Sequence, residues 1–358
     1  MTTSTEYAAS ERTTDERTAQ DRTALVIGAT GLFGLHAAEA LIKHGWRVRA
    51  LARDPAAAAA KLGPKTPIEW VKGDAMDTAS TVVAAAGAQL VVHAANPPRY
   101  RNWKGTVLPM AESAIAAAKA AGARLMLPVS VYNFAPEAGS SIPEEAPQLP
   151  ATRKGAIRVE VERRLRKASE GGLKVLLLRA GDFFGPAAPG VLAWLVSHSN
   201  GRVTQVWSPG PGDNGHAYAY LPDLAETMAR LVDNEDRLGR FEVFHFRGHY
   251  LDHNDAFGEA IRRVTANPKL PVRRFPWTVV AAAAPFNETF RELLEMRYLW
   301  KRPIGLANAK LVRFLGEEPH TPLDLALAAS LADMGVLPEP PYGALEVRRT
   351  SSAMAPAM

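Results

Sequence analysis

From Thr23 onward, short apolar runs alternate with longer stretches whose apolar residues recur at helical spacing. Ala24-Leu25-Val26-Ile27 is apolar throughout, the pattern of a strand covered on both faces. It runs into a glycine turn, and Leu32 to His44 then reads as a helix closed by Gly45. Trp46 to Ala52 predicts a second strand. Asp54-Pro55 followed by five alanines has the cap-then-proline start of another helix. Further strands are predicted at Ile68 to Val71, Leu90 to Ala94, Leu125 to Val129 and Val175 to Leu178, with helical patterns between them. Strands separated by helices imply a parallel sheet with helices on both faces. The expected fold class is therefore α/β, a Rossmann-type doubly wound parallel sheet.

After Gly185-Pro186 the regularity falls away. Ser208 to Gly215 is a Pro- and Gly-rich loop. A helix is predicted from Pro222, with Asp223 and Glu226 at capping-box spacing, and Glu242 to Phe246 reads as one more strand. Residues 275–335 are mostly helical in pattern. The division that follows is a disordered leader over 1–22 and a dinucleotide-binding Rossmann domain over 23–185. A smaller mixed substrate-binding lobe covers 186–337, with segments near 216–248 returning to the Rossmann core, and a flexible tail covers 338–358.

Composition narrows the chemistry. The 358 residues contain no cysteine, which excludes disulfides, thiolate metal sites and Cys nucleophiles. Residues 1–22 are polar, and the apolar stretch from Trp277 to Phe286 is short and broken by Pro285. Neither a signal peptide nor a membrane span is predicted, and a cytoplasmic protein is expected. The net charge of +5 is scattered. Its densest cluster, Arg163 to Lys167, falls at a helix end, where cations complement the helix dipole. Nucleic acid is not the expected partner; an anionic small substrate accounts for the charge equally well. No histidines stand at ligand spacing on a helix, since His249 and His253 read as loop, so no metal is expected.

The glycine turn carries the strongest signal. Gly28-Ala29-Thr30-Gly31-Leu32-Phe33-Gly34 directly follows a strand and opens a helix. The first glycine permits the tight turn, the second lets backbone N–H groups approach a pyrophosphate, and the third lets the helix pack on the sheet. The helix N-terminus adds a partial positive charge. At the end of the second strand an Asp or Glu would bind a ribose 2′-OH, whereas an Arg accommodates a 2′-phosphate. Arg53 holds that position, and Asp54 is better explained as the cap before Pro55. NADP is the expected cofactor, with NAD as the alternative.

These landmarks, with Gly73-Asp74, His93-Ala94-Ala95, Val131-Tyr132 and the run Arg179 to Pro186, resemble the extended short-chain dehydrogenases/reductases. These form the NAD(P)-dependent epimerase/dehydratase family, and the resemblance runs from about Ala24 to Gly248. It implies that Asp74 lies near the adenine, that Ala94 and Ala95 line the cofactor, and that Arg179 to Pro186 lead into the substrate lobe. It also implies a homodimer through the helices after Trp103 and Gly155, where the alanine-rich run Ala111 to Ala121 would permit close approach.

The catalytic positions depart from the family pattern. That pattern has a Ser or Thr four residues before the Val-Tyr tyrosine, then a Tyr-x-x-x-Lys pair on the next helix. With Tyr132 on the landmark, Pro128 takes the Ser position, Lys154 the tyrosine's and Arg158 the lysine's. Residues four apart share a helix face. Arg158 could bind a ribose but not release a proton. Lys154 could act as the acid only if burial and a neighbouring cation lowered its pKa. Atypical reductases of the isoflavone-reductase group do use a lysine. Ser130 and Tyr132 are the other candidate donors. Trp194, Trp207, Tyr218 and Phe183 are candidates for an apolar substrate pocket. The expected function is an NADP-dependent oxidoreductase moving hydride to or from a carbonyl-type small molecule. The alternatives are a sugar-nucleotide epimerase/dehydratase and a non-catalytic NADP-binding sensor or scaffold.

Overall fold

A computed structural model describes residues 22–63, 67–97, 102–187 and 189–337. The expected tail, and the expected leader up to residue 21, lie outside the described residues. The first half runs β1 (Thr23–Ile27), α1 (Leu32–Lys43), β2 (Arg47–Ala52), α2 (Pro55–Leu62), β3 (Ile68–Lys72), α3 (Thr78–Ala84) and β4 (Leu90–His93). Then come α4 (Trp103–Ala121), β5 (Arg124–Ser130), β6 (Gly139–Ile142), α5 (Arg153–Glu170) and β7 (Val175–Ala180). Strands β1 and β7 are buried along their whole length, as their unbroken apolar runs require.

The chain continues through β8 (Asp182–Phe184), α6 (Leu192–Leu195), β9 (Val196–Ser199), β10 (Arg202–Ser208), β11 (His216–Tyr220) and α7 (Leu221–Asp233). Strands β12 (Phe241–His245) and β13 (His249–Leu251), helix α8 (Ala256–Val264) and strand β14 (Val272–Arg274) follow. The last elements are α9 (Trp277–Ala283), α10 (Glu288–Met296), β15 (Ile304–Leu306), α11 (Ala309–Leu315) and α12 (Leu323–Asp333).

Seven parallel strands form the main sheet in the order β12-β7-β5-β4-β1-β2-β3. The order reverses between β1 and β4, which opens a crevice at the carboxyl ends of those strands. One apolar core joins α1 and α7 to one face of the sheet; α4 and α5 cover the other. Ala111, Ala114, Ala117 and Ala118 are buried in this second core, so the small side chains of α4 are used against the sheet of their own chain. Strand β12 returns to the main sheet beside β7, whereas β11, β13, β15 and β6 form a separate sheet with β8 paired to β11.

Two local expectations fail. Helix α7 begins at Leu221, with Tyr220 as its cap and Pro222 in its first turn, so Asp223 already lies inside the helix. Its buried carboxylate accepts from the backbone N and the Oγ1 of Thr321 instead of closing a capping box. Glu226 turns to Arg230 and His44. His249 is on β13, not in a loop.

Candidate active site

A single cavity of about 1330 Å³ follows the carboxyl ends of β1, β2, β4 and β5 and continues under the lobe. Gly28, Thr30, Gly31, Leu32 and Phe33 line one end of it. Gly28 has φ +93°, a conformation that favours glycine. A Cβ there would lie 2.7 Å from the backbone N of Ala95. Gly34 does not face the cavity; a Cβ on it would lie 2.1 Å from the Gly28 carbonyl oxygen, so this glycine lets α1 cross the turn. Gly31 caps α1, and no side chain bonds the helix's first N–H groups. A cradle free of side chains at the start of a 12-residue helix suits a pyrophosphate.

Beside this cradle the cavity is lined by Arg53, Asp54 and Asp74. Asp54 caps α2 by accepting from the backbone N of Ala57, the role its sequence position suggests. Asp74 accepts from the backbone N of Met76 at 2.9 Å. Lys61, which the sequence reading passed over, also lines this end and reaches the carbonyl of Thr30 at 3.3 Å. It lies in the last turn of α2, the helix that Asp54 caps, and no helical spacing relates it to Arg53, which precedes the cap. Ala94 and Ala95 line the cavity next to His93. Burial, reinforced by the Arg158 guanidinium, pushes the His93 imidazole down to about 4.

Further along, Ser130, Tyr132 and Arg158 meet on the cavity wall. Ser130 ends β5, and its Oγ caps the short turn that carries Tyr132. The turn is held from behind. Arg179, fully buried, donates to the Ser130 carbonyl at 2.6 Å and to both oxygens of Glu162 at 2.9 and 2.8 Å. Glu162 also accepts from Asn133 and Gln148. Arg158 donates to Asn96 at 2.8 Å and lies 4.8 Å over the Trp103 ring.

Lys154 does not share this wall. The sequence reading needed a buried lysine beside a cation, facing the nicotinamide end. Lys154 is buried, but its ammonium is clasped by Glu292 and, at 3.3 Å, by Glu295, both on α10. It is paired with anions, with the Trp103 ring that carries Arg158 at 5.6 Å from its Nζ, and it is not among the cavity-lining residues.

The lobe supplies the far arm. Phe183 and Trp194 line it, as the sequence suggested, with Phe275, Trp277 and Trp300, which it did not. Tyr218 lies behind, stacked on Phe257 at 4.7 Å, and Trp207 bonds Ser197 away from the cavity. Asp182 opens onto the arm and lies 2.9 Å from Nε2 of the buried His216. Burial and this carboxylate push the phenols of Tyr218 and Tyr298 upward. Among the described residues, no group of three or more potential ligands is placed to hold a metal. No described helix is long and apolar enough to cross a membrane.

A doubly wound sheet with a glycine cradle at its reversal point, a polar turn beyond it and a lobe closing the crevice defines a Rossmann-type α/β fold. Comparison with known proteins gives the particulars. Residues 20–170 match the NmrA-like family. Solved structures share the whole architecture at low identity. MoeE5 in complex with UDP-glucose and NAD is 17% identical with a TM-score of 0.65, covering 87% of this chain and 98% of that one. UDP-glucose 4-epimerase from Thermotoga maritima is 17% identical at a TM-score of 0.66, with the same coverage. UDP-glucuronic acid 4-epimerase from Bacillus cereus, with UDP-glucuronic acid and NAD, is 14% identical at 0.67, again covering 87% and 98%. No curated protein matches by sequence. The chain thus matches the NmrA-like family model over residues 20–170 and shares the fold of these solved structures.

Proposed function

We propose that the protein is an NADP-dependent oxidoreductase moving hydride to or from a carbonyl-type small molecule. The observation that carries this reading is continuity: the glycine cradle, the Ser130-Tyr132 turn and the aromatic arm open into one cavity. A nicotinamide dinucleotide, when bound, supplies or takes the hydride. The cradle and the α1 N-terminus bind its pyrophosphate, and Arg53 with Lys61 favours a 2′-phosphate. Arg158, anchored on Asn96 and Trp103, orients the ribose at the junction. Tyr132 carries the exchangeable proton, with the Ser130 hydroxyl beside it.

The reading is tested with a panel of carbonyl compounds and NADPH, followed by stopped-flow loss of reduced cofactor. Tyr132→Phe should cost about a hundredfold or more in turnover, the lower range of general acid catalysis. Wild-type turnover in that variant would remove Tyr132 from the reaction. One observation favours a second reading, a non-catalytic NADP sensor. The lysine at the family's tyrosine position is locked into ion pairs. Tight NADPH binding with no turnover across the panel would select it.

A further inference from the structure

The substrate class of the arm follows from its charges. Two carboxylates reach it, Asp182 and Glu292. Glu292 is matched by Lys154, with Arg153 at 3.7 Å. Asp182 is matched by His216, and the geometry fixes how many protons the two hold. Nδ1 of His216 lies 3.1 Å from the carbonyl oxygen of Leu299, which can only accept, so Nδ1 carries a hydrogen. Nε2 lies 2.9 Å from Oδ2 of Asp182, a contact that needs a second hydrogen on one atom or the other. Whether that hydrogen makes an imidazolium with a carboxylate or an imidazole with a carboxylic acid, the pair has no net charge. His245 shows the contrast. Its Nε2 faces Arg179 Nε, a donor, and its Nδ1 faces the Ile142 carbonyl, so it holds one proton.

The charges lining the arm are thus balanced between Asp182, Glu292 and their partners, and its walls are Phe183, Trp194, Phe275, Trp277 and Trp300; Arg297 stacks on the Trp277 ring at 5.1 Å and is not among the lining residues. A diphosphate brought into it would lose its hydration with no uncommitted cation among the described residues of the arm to replace it. An organic cation would find no net negative charge. We propose that the arm binds an uncharged, ring-bearing carbonyl or alcohol, stacked on the tryptophans with its oxygen turned toward the Ser130-Tyr132 turn, and not a nucleotide-linked sugar. This rests on the oxidoreductase reading for the position of the cofactor, and concerns what sits beside it.

The full chain saturated with NADP+ is titrated calorimetrically with three probes: 2-acetonaphthone, 2-naphthoate (the same rings with a carboxylate) and UDP-glucose. Acetonaphthone should bind saturably and about tenfold or more tighter than naphthoate, with no heat from UDP-glucose. Trp194→Ala changes a half-exposed residue of the arm and should weaken acetonaphthone by about tenfold, or 1.4 kcal/mol, leaving the NADP+ affinity as in wild type. UDP-glucose or naphthoate binding as tightly as acetonaphthone overturns the proposal. So does an acetonaphthone affinity unmoved by Trp194→Ala. Because the cofactor is oxidised, binding is read without turnover. A ketone that binds yet is never reduced by NADPH counts against the oxidoreductase reading and in favour of this one.

Discussion

Lys154 of α5 and Glu295 of α10 lie 3.3 Å apart, joining the Rossmann half to the lobe through a side-chain contact between two helices. Glu292 holds the same ammonium from one turn earlier on α10. Removing one partner from a buried ion pair leaves the other charge uncompensated. Lys154→Met should therefore lower unfolding stability by about 3 kcal/mol, toward the low end for buried pairs because the two glutamates keep some exposure. NADP+ affinity should hold, since Lys154 is not among the residues that line the cavity. A denaturant melt beside a cofactor titration separates the two effects. Wild-type stability with lost turnover would return Lys154 to the role of proton donor.

Cofactor choice should follow Arg53 and Lys61. Charge-assisted bonds to a 2′-phosphate favour NADP over NAD by about 1.5–3 kcal/mol, roughly ten- to a hundredfold. Arg53→Asp should erase or invert that preference, and Lys61→Met should reduce it by less. Equal affinities of wild type for the two dinucleotides would remove the assignment.

Gly34→Ala should be severe despite its small size. The added methyl would sit 2.1 Å from the Gly28 carbonyl, so α1 must move off the turn. Overpacking of this kind costs about 1–3 kcal/mol or more. NADP+ binding should weaken along with stability. Gly45→Ala, where a Cβ meets nothing but φ is +80°, serves as the backbone-only control.

Acid sensitivity should begin above the carboxylate range. Burial, helped by Arg158 for His93, by Arg179 for His245 and by His320 for His249, pushes these imidazoles down to about 4, about 3 and about 3. Unfolded histidines take up protons near pH 6.5, and the folded ones do not until far lower. The contribution is therefore complete above about pH 6.5 and is lost as pH falls toward 3–4. Its limiting slope is about 1.4 kcal/mol per pH unit for each histidine. The buried Glu318 carboxyl, pushed upward, works in the opposite direction and offsets part of the loss. Urea midpoints at pH 7.5 and 5.5 check this. A flat profile would contradict it, and His249→Gln should make the slope shallower.

The Rossmann half was legible because its signals are local. A strand, a glycine turn and a helix follow one another within β1 and α1, and the Asp54 cap lies next to the helix it starts. In β1, β4 and β7 the strand limits came within a residue or two because burial on both faces demands unbroken apolar runs. The far arm was not legible, because its meaning lies in distant pairings. Lys154 and Glu292 are 138 positions apart, and Asp182 and His216 are 34 apart. From its place on the helix Lys154 reads as a candidate acid, and nothing near it in sequence announces the glutamates that hold its ammonium. Asp223 misled for the same reason: its capping spacing was local, but its partner is Thr321, 98 positions away.

Helix α10 is both a wall of the cavity, through Thr289, Leu293 and Met296, and the element tethered by Lys154. Loosening that tether is therefore expected to loosen the wall and to shorten the stay of a molecule lodged in the arm. Because the tether is buried, dissolved ions screen it weakly, and residence time should depend little on ionic strength.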